Sequence, residues 1–383
     1  LQRTFATNAS FRTVYWFGRG PAGRLSCARE AFAARFAHPF AGHAQGMTTT
    51  LACVVSLVLA AVAVTLMLKL ARRLPVATPN ARSLHVEPVP RVGGLALWAG
   101  FLPAASWVAA DLPGGAIAWL PAWLALVAIS LVDDARGAPV VARLAVHAAA
   151  ALWTAAWILR VPWTVVPGVA PGTGYLVAVM LAALVIVWSS NLYNFMDGSD
   201  GLAGGMTLVG FAALALAAAN DTALRISAAA LAAASIPFLA VNRPPARLFM
   251  GDVGAVPAGY LAATFAIAGV ARGLWPAWFP VLVFLPFAAD ATATLARRLV
   301  RGERVWEAHR SHYYQRLHQL GAGHAGTLAL YGAAALGCAL TALACLAYAP
   351  GAGATALIAW CAAFAVLFAA IDYHWRRRPS ATR

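Results

Sequence analysis

Apolar residues in this chain come in long blocks rather than in alternation, and short polar stretches separate them. Blocks that approach the roughly 20 residues needed to cross a bilayer core predict membrane-spanning helices. Eleven spans are read: 50–70, 93–110, 115–132, 140–160, 174–190, 203–220, 224–241, 253–271, 274–292, 326–347 and 353–371. The blocks at 93–110 and 115–132 are the weakest signals. The expected fold class is all-α, a polytopic integral membrane protein of about 10–11 transmembrane helices.

Composition agrees with that reading. The 383 residues are 62% hydrophobic and 11% charged, where a soluble protein would carry roughly 25% charge. The formal net charge of +15 could suit nucleic acid. The basic residues fall between apolar blocks, however, so topology accounts for them and no nucleic-acid partner is expected. Placing the loop after the first span inside puts 19 of the 28 Lys and Arg residues in inside segments and three outside. The positive-inside rule then sets the N-terminus out and the C-terminus in.

The other six basic residues lie in 1–46, which would be outside. That segment lacks the apolar core of a signal peptide, whereas Met47-Thr-Thr-Thr runs directly into a hydrophobic block. Residues 1–46 are therefore expected to be an upstream extension, followed by a transmembrane domain over 47–375 and a basic tail over 376–383. The most polar part of that domain is the inside loop 293–325. Four of the five cysteines (Cys53, Cys338, Cys345 and Cys361) fall in spans, Cys27 does not, and none shows metal-ligand spacing.

With this topology the carboxylates gather on one side. Asp133 and Asp134 end the third span, Asp197 and Asp200 follow the fifth, Asp252 precedes the eighth and Asp290 ends the ninth. Carboxylates near membrane depth are costly, so they signal function. Adjacent Asp133 and Asp134 need a cation or a proton between them. In NLYNFMDGSDGLAGG (191–205), Asn191 and Asn194 add amide donors and acceptors, and Gly198 and Gly201 favour an irregular turn over a continuous helix. In FMGDVGA (249–255), Asp252 offers the oxygen ligand that a hard cation such as Mg²⁺ prefers, and Phe249 offers a ring for a nucleobase. His309, Arg310 and His312, in HRSHYYQRL, suit a diphosphate or a sugar phosphate. Ser83, His85 and Arg91, in the loop 79–94, could line the mouth of such a site. Together these groups point to phosphoryl transfer at a cytoplasmic-face site, where positioning and charge neutralisation do most of the work.

The four motifs, in this order from about residue 50 to 320, resemble the polyprenyl-phosphate N-acetylhexosamine-1-phosphate transferases, glycosyltransferase family 4. The resemblance implies transfer of a sugar 1-phosphate from a UDP-N-acetylhexosamine to undecaprenyl phosphate with release of UMP. It implies Mg²⁺ as cofactor, with Mn²⁺ as a substitute, a multi-pass protein of the bacterial inner membrane, and room for a homodimer. By motif, Asp252 with Asp197 would hold the metal. Asp133, beside Asp134, would orient or deprotonate the lipid phosphate, and Asp197 and Asp200 would make catalytic contacts. Asn191, Asn194, Phe249, His309, Arg310 and His312 would bind the nucleotide sugar.

Two departures bear on the substrate. The peptidoglycan branch has a longer histidine cluster than His-Arg-Ser-His, and a lysine in the first inside loop where this chain has Val89, Pro90 and Arg91. Both argue for the branch that initiates O-antigen or exopolysaccharide. The main rival reading is a transporter with an acidic ion site; it would place charges mid-span and show two related halves, and no halves repeat here. A scaffold has no need of the acidic cluster. A CDP-alcohol phosphotransferase would want a D-G-x-x-A-R core, which DDAR at 133–136 only echoes.

Overall fold

The computed structural model describes residues 39–71, 74, 76–77, 89–159, 171–304 and 309–378. Ser83, His85, Cys27 and most of the 1–46 segment lie outside them. Apart from the first turns of α1, the elements below belong to one compact unit, Thr48–Arg383.

The elements are α1 (Pro39–Lys69), β1 (Val76–Ala77), β2 (Val89–Pro90), α2 (Gly94–Trp107), α3 (Ala116–Arg136), α4 (Val140–Ile158) and α5 (Pro171–Met196). They continue with α6 (Leu202–Ala217), α7 (Thr222–Asn242), α8 (Asp252–Ala271), α9 (Trp278–Val283), α10 (Leu285–Val300), α11 (Tyr313–Leu317), α12 (Gly323–Tyr348) and α13 (Gly353–Arg376). β1 and β2 form only a two-residue antiparallel ladder. The protein is an all-α polytopic membrane protein. Among the described residues, eight helices are long and apolar enough to cross a membrane.

A helix occupies each of the eleven expected spans, but three differ from a plain crossing. α2 has 14 residues and α6 has 16, about 21 and 24 Å at 1.5 Å per residue, short of a bilayer core of about 30 Å. α6 lies largely buried among its neighbours, so protein rather than lipid surrounds it. The expected span 274–292 breaks at Phe284, whose φ −97 and ψ 11 are not helical. Pro286, in the first turn of α10, brings no N–H to bridge the break. Beyond it α10 is amphipathic and continues to Val300, past the expected end of the span.

α8 is the axis of the packing, with 83% of its apolar window buried. Small residues let its neighbours approach: a Cβ on Gly94 of α2 would lie 2.2 Å from Gly254 Cα, and one on Gly259 would lie 2.3 Å from the Ser189 carbonyl of α5. Polar side chains tie the ring of helices to this axis. Trp98 Nε1 donates to the Val253 carbonyl at 2.8 Å, Ser189 Oγ to the Gly259 carbonyl at 2.8 Å, and Thr154 Oγ1 pairs with Tyr260 Oη at 2.7 Å. Such bonds satisfy buried polar groups and fix helix register. The N-terminus of α8 is thereby held at the bundle end where α3 and α5 finish and α4 begins.

Candidate active site

That end of the bundle contains a cavity of about 380 Å³. Its lining includes Asp133 from α3, Arg143 and His147 from α4, Asn191 and Asn194 from α5, and Asp197 and Gly198 from the turn that follows. It also includes Asp252 from α8, His309 and His312, and Tyr314 and Gln315 from α11. Asp133, Asn191, Asn194, Asp197, Asp252, His309 and His312, singled out from the sequence, meet here.

The turn 197–201 separates two carboxylates that a continuous helix would have put on one face. α5 stops at Met196 and α6 starts at Leu202, with Gly201 at φ +75 as its N-cap, a conformation glycine adopts without strain. Asp197 lies on the cavity. Asp200 lies off it, buried, accepting from the Ala246 N–H at 2.9 Å, with His324 Nδ1 3.7 Å away. Asp200 thus holds the 243–247 segment and α12 against the turn.

Asp134 is also turned from the lining. It is paired with Arg91 and accepts from the N–H groups of Asp252 (3.4 Å) and Val253 (3.1 Å). In effect it caps α8 from another helix, meeting N–H groups that the helix leaves without a partner. Asp133 is paired with Arg143 and accepts from the Ala138 N–H at 2.7 Å. Asp252 stands between both arginines, 3.9 Å from Arg91 and 3.7 Å from Arg143, and its carboxyl meets that of Asp133.

Gly251 makes this crowding feasible. Its φ is +70, and a Cβ there would lie 2.0 Å from the Arg91 carbonyl. Beside it, Gly93 and Gly94 donate to the carbonyls of Phe249 and Met250 at 2.8 and 2.9 Å, and the Phe249 N–H donates to Pro90 at 2.8 Å. The segment 89–94 is thereby stitched to FMGD, which explains how Arg91 reaches the acidic cluster.

The carboxylates repel one another. Burial, followed by the charges of Asp252 and Asp134, holds the Asp197 carboxyl well above the usual carboxylate range, against a bond from the Gly251 N–H. A divalent cation would relieve that repulsion, and the donor set fits one: hard carboxylate oxygens of Asp197 and Asp252. Among the described residues no set of three or more His, Cys, Asp or Glu side chains could hold an ion alone. Two carboxylates with the rest from phosphate and water is the usual Mg²⁺ arrangement.

His309 and His312 stack at 4.8 Å between ring centroids. Asp290 is buried behind them. Its carboxylate takes His312 Nδ1 at 3.2 Å and the N–H groups of Tyr313 and Tyr314 at 3.0 and 2.8 Å. The sequence reading had Asp290 in the acidic site; the structure makes it the anchor of the histidine loop, because the start of α11 needs an acceptor. Phe249, half-buried, and exposed Arg310 are not among the lining residues.

Among the polar lining residues, Arg143, His147, Tyr314 and Gln315 were given no site role by the sequence reading. Arg143 was counted only as a topological charge. The available signal was a basic residue in the first turn of the span that follows the DD pair.

Comparison with known proteins bears on this geometry. Residues 116–270 match the family model described as glycosyl transferase family 4. A decaprenyl-phosphate N-acetylglucosaminephosphotransferase of Mycobacterium leprae is 31% identical over 298 residues, covering 67% of this chain and 73% of the relative. The chain belongs to glycosyl transferase family 4. A Bacillus subtilis member named “Probable undecaprenyl-phosphate N-acetylglucosaminyl 1-phosphate transferase” is 27% identical, covering 64% of this chain and 70% of its own. A phospho-N-acetylmuramoyl-pentapeptide-transferase of Heliobacterium modesticaldum is 48% identical, but over 90 residues, 23% of this chain and 28% of its own. The matched family region runs from α3 through α8 and so carries Asp133, Asp197 and Asp252, all three on one cavity.

Proposed function

We propose that this family 4 member transfers N-acetylhexosamine 1-phosphate from a UDP-sugar to undecaprenyl phosphate, releasing UMP. The proposed setting is the cytoplasmic face of the bacterial inner membrane, and the product would start an O-antigen, exopolysaccharide or related envelope glycan. The names of the relatives matched over about two thirds of the chain make N-acetylglucosamine the first sugar to test. The observation that carries the reading is a single cavity holding Asp133, Asp197 and Asp252 together with Arg143 and three histidines, His147, His309 and His312. Such a site suits two phosphorylated, anionic reactants that must be brought together.

In the proposed reaction a lipid phosphate oxygen attacks the sugar-linked phosphorus of the diphosphate. The bond from that phosphorus to the bridging oxygen breaks, and UMP leaves with that oxygen. Asp197 and Asp252 would hold Mg²⁺ or Mn²⁺, which when bound offsets phosphate charge and polarises the reacting phosphorus. Arg143 offsets the remaining negative charge, His309 and His312 line the diphosphate subsite, and Asn191 and Asn194 bind the nucleotide sugar. Asp133 has Arg143 and the Ala138 N–H as partners, so we assign it to orient Arg143 toward the lipid phosphate. Proton removal is not required, because a phosphate with a second pKa near 6 is already mostly dianionic at pH 7. Phe249, three residues before Asp252 and off the lining, is assigned to the uracil.

The test is a donor panel. Purified protein with undecaprenyl phosphate, Mg²⁺ and one UDP-N-acetylhexosamine at a time should yield a lipid-linked sugar diphosphate by mass spectrometry for at least one donor. Folded protein that binds none of the donors would contradict the reading.

A further inference from the structure

The last helix reaches the cavity through a chain of hydrogen bonds. Ser311 donates its backbone N–H to His309 Nδ1 at 3.3 Å, and its Oγ lies 2.9 Å from the same atom. A backbone N–H only donates, so His309 Nδ1 carries a lone pair, and the proton of the neutral ring sits on Nε2. The Ser311 carbonyl accepts from Arg297 Nη2 at 2.7 Å, and Arg297 Nη1 lies 3.1 Å from Asp372 Oδ1. Arg297 therefore spans two acceptors with its two ends, a fixed fork that lysine cannot reproduce. Its side chain is 14% exposed and that of Asp372 is 26% exposed, so water competes little at the arginine.

The neighbouring histidine is set the opposite way. His312 Nδ1 faces the Asp290 carboxylate at 3.2 Å, so it carries the proton, and Nε2 is left with the lone pair. Two stacked rings of the cavity wall thus differ in tautomer. Ser311 and Arg297 tie the His309 side of the pair to α13.

We propose that Asp372 is a positioning residue for this cavity. Through Arg297 and Ser311 it holds His309 in the tautomer that presents an Nε2–H donor, suited to a phosphate oxygen. The assignment of that donor to the UDP-sugar rests on the function proposed above; the control of His309 by Asp372 does not. α13 meets the loop at further points: Asp372 also accepts from Tyr313 Oη at 3.2 Å and from Arg316 Nη1 at 2.5 Å, and the Tyr313 ring stacks on Phe368 at 4.0 Å.

The test uses full-length protein in lipid with ¹⁵N-imidazole histidine, read by NMR at pH 8.5, where imidazoles are neutral. His309→Gln identifies the His309 signals. The wild type should show protonated Nε2 and bare Nδ1 at His309. Asp372→Ala and Arg297→Lys cut the relay at different points, and each should give mixed tautomers. Each should raise KM for the donor by about tenfold, the worth of roughly one charge-assisted hydrogen bond, with kcat and the lipid KM little changed. Asp372→Glu should restore both readouts, and Phe368→Leu, which removes only the ring stack, should leave the tautomer as in wild type. If Asp372→Ala does not fold, Arg297→Lys carries the same readout. Retention of the wild-type tautomer in the cut variants, or its loss in Phe368→Leu, would overturn the relay. Mixed tautomers with an unchanged donor KM would support the relay and contradict the binding role given to His309.

Discussion

Asp252 stands within 4 Å of two arginines and against Asp133, while Asp197 shares the same cavity. If these two carboxylates hold the metal, Asp252→Asn should cut turnover about a thousandfold, as several kcal/mol of charge stabilisation implies. Expression and melting temperature should hold, and initial rates on purified protein would check this. Asp200→Asn should behave differently. Its carboxylate braces the 243–247 segment and faces His324, so it should lower the melting temperature while measurable turnover remains. The contrast shows what the sequence made legible. Glycine-flanked aspartates at span ends marked the cavity, but two carboxylates three residues apart looked equivalent until the turn at Gly201 sent them different ways. Asp134 and Asp290 likewise read as site acids and serve as acceptors for helix N-termini, a role set by partners distant in the chain. Arg143 was invisible for the reverse reason: a charge beside a span has a topological explanation ready to hand.

Among the elements, α8 carries the most consequence, because its N-terminus puts Asp252 at the cavity and its sides meet most of the bundle. Gly251 is its weak point. Gly251→Ala would force φ +70 on a residue with a Cβ that meets the Arg91 carbonyl at 2.0 Å. Strain of this kind costs about 1–3 kcal/mol before the clash is counted, so the variant should melt earlier and lose activity with it. A melting curve in detergent beside a rate assay would check both. The histidine loop depends on Asp290 in the same way. Asp290→Ala would leave two backbone N–H groups and His312 without their acceptor, and hydrogen exchange should quicken across 309–317. Helices were legible from the apolar blocks, including the one that reads through to Asp133 and Asp134. The break at Phe284 was not, because Pro286 sits in an otherwise continuous apolar run and only the packing shows where the helix stops.

For the whole molecule, seven of the eleven site residues singled out from the sequence line one cavity at one end of the bundle, and the basic residues of the α10–α11 region lie at that end too. The positive-inside rule predicts that this is the cytoplasmic end. A reporter fused after Arg378 should therefore be active in its cytoplasmic form and silent in its periplasmic form. Family membership follows from the family model and from relatives matched over about two thirds of the chain; the sugar does not, because the contacts that distinguish N-acetylhexosamines are not written in the shared motifs. The most direct measurement of the proposed chemistry is UMP release from a UDP-N-acetylhexosamine by purified protein, with lipid phosphate and Mg²⁺ each withheld in turn, beside Asp252→Asn. The proposal predicts UMP only when lipid and metal are both present, and almost none from the variant. UMP formed without the lipid, or at full rate by Asp252→Asn, would contradict it.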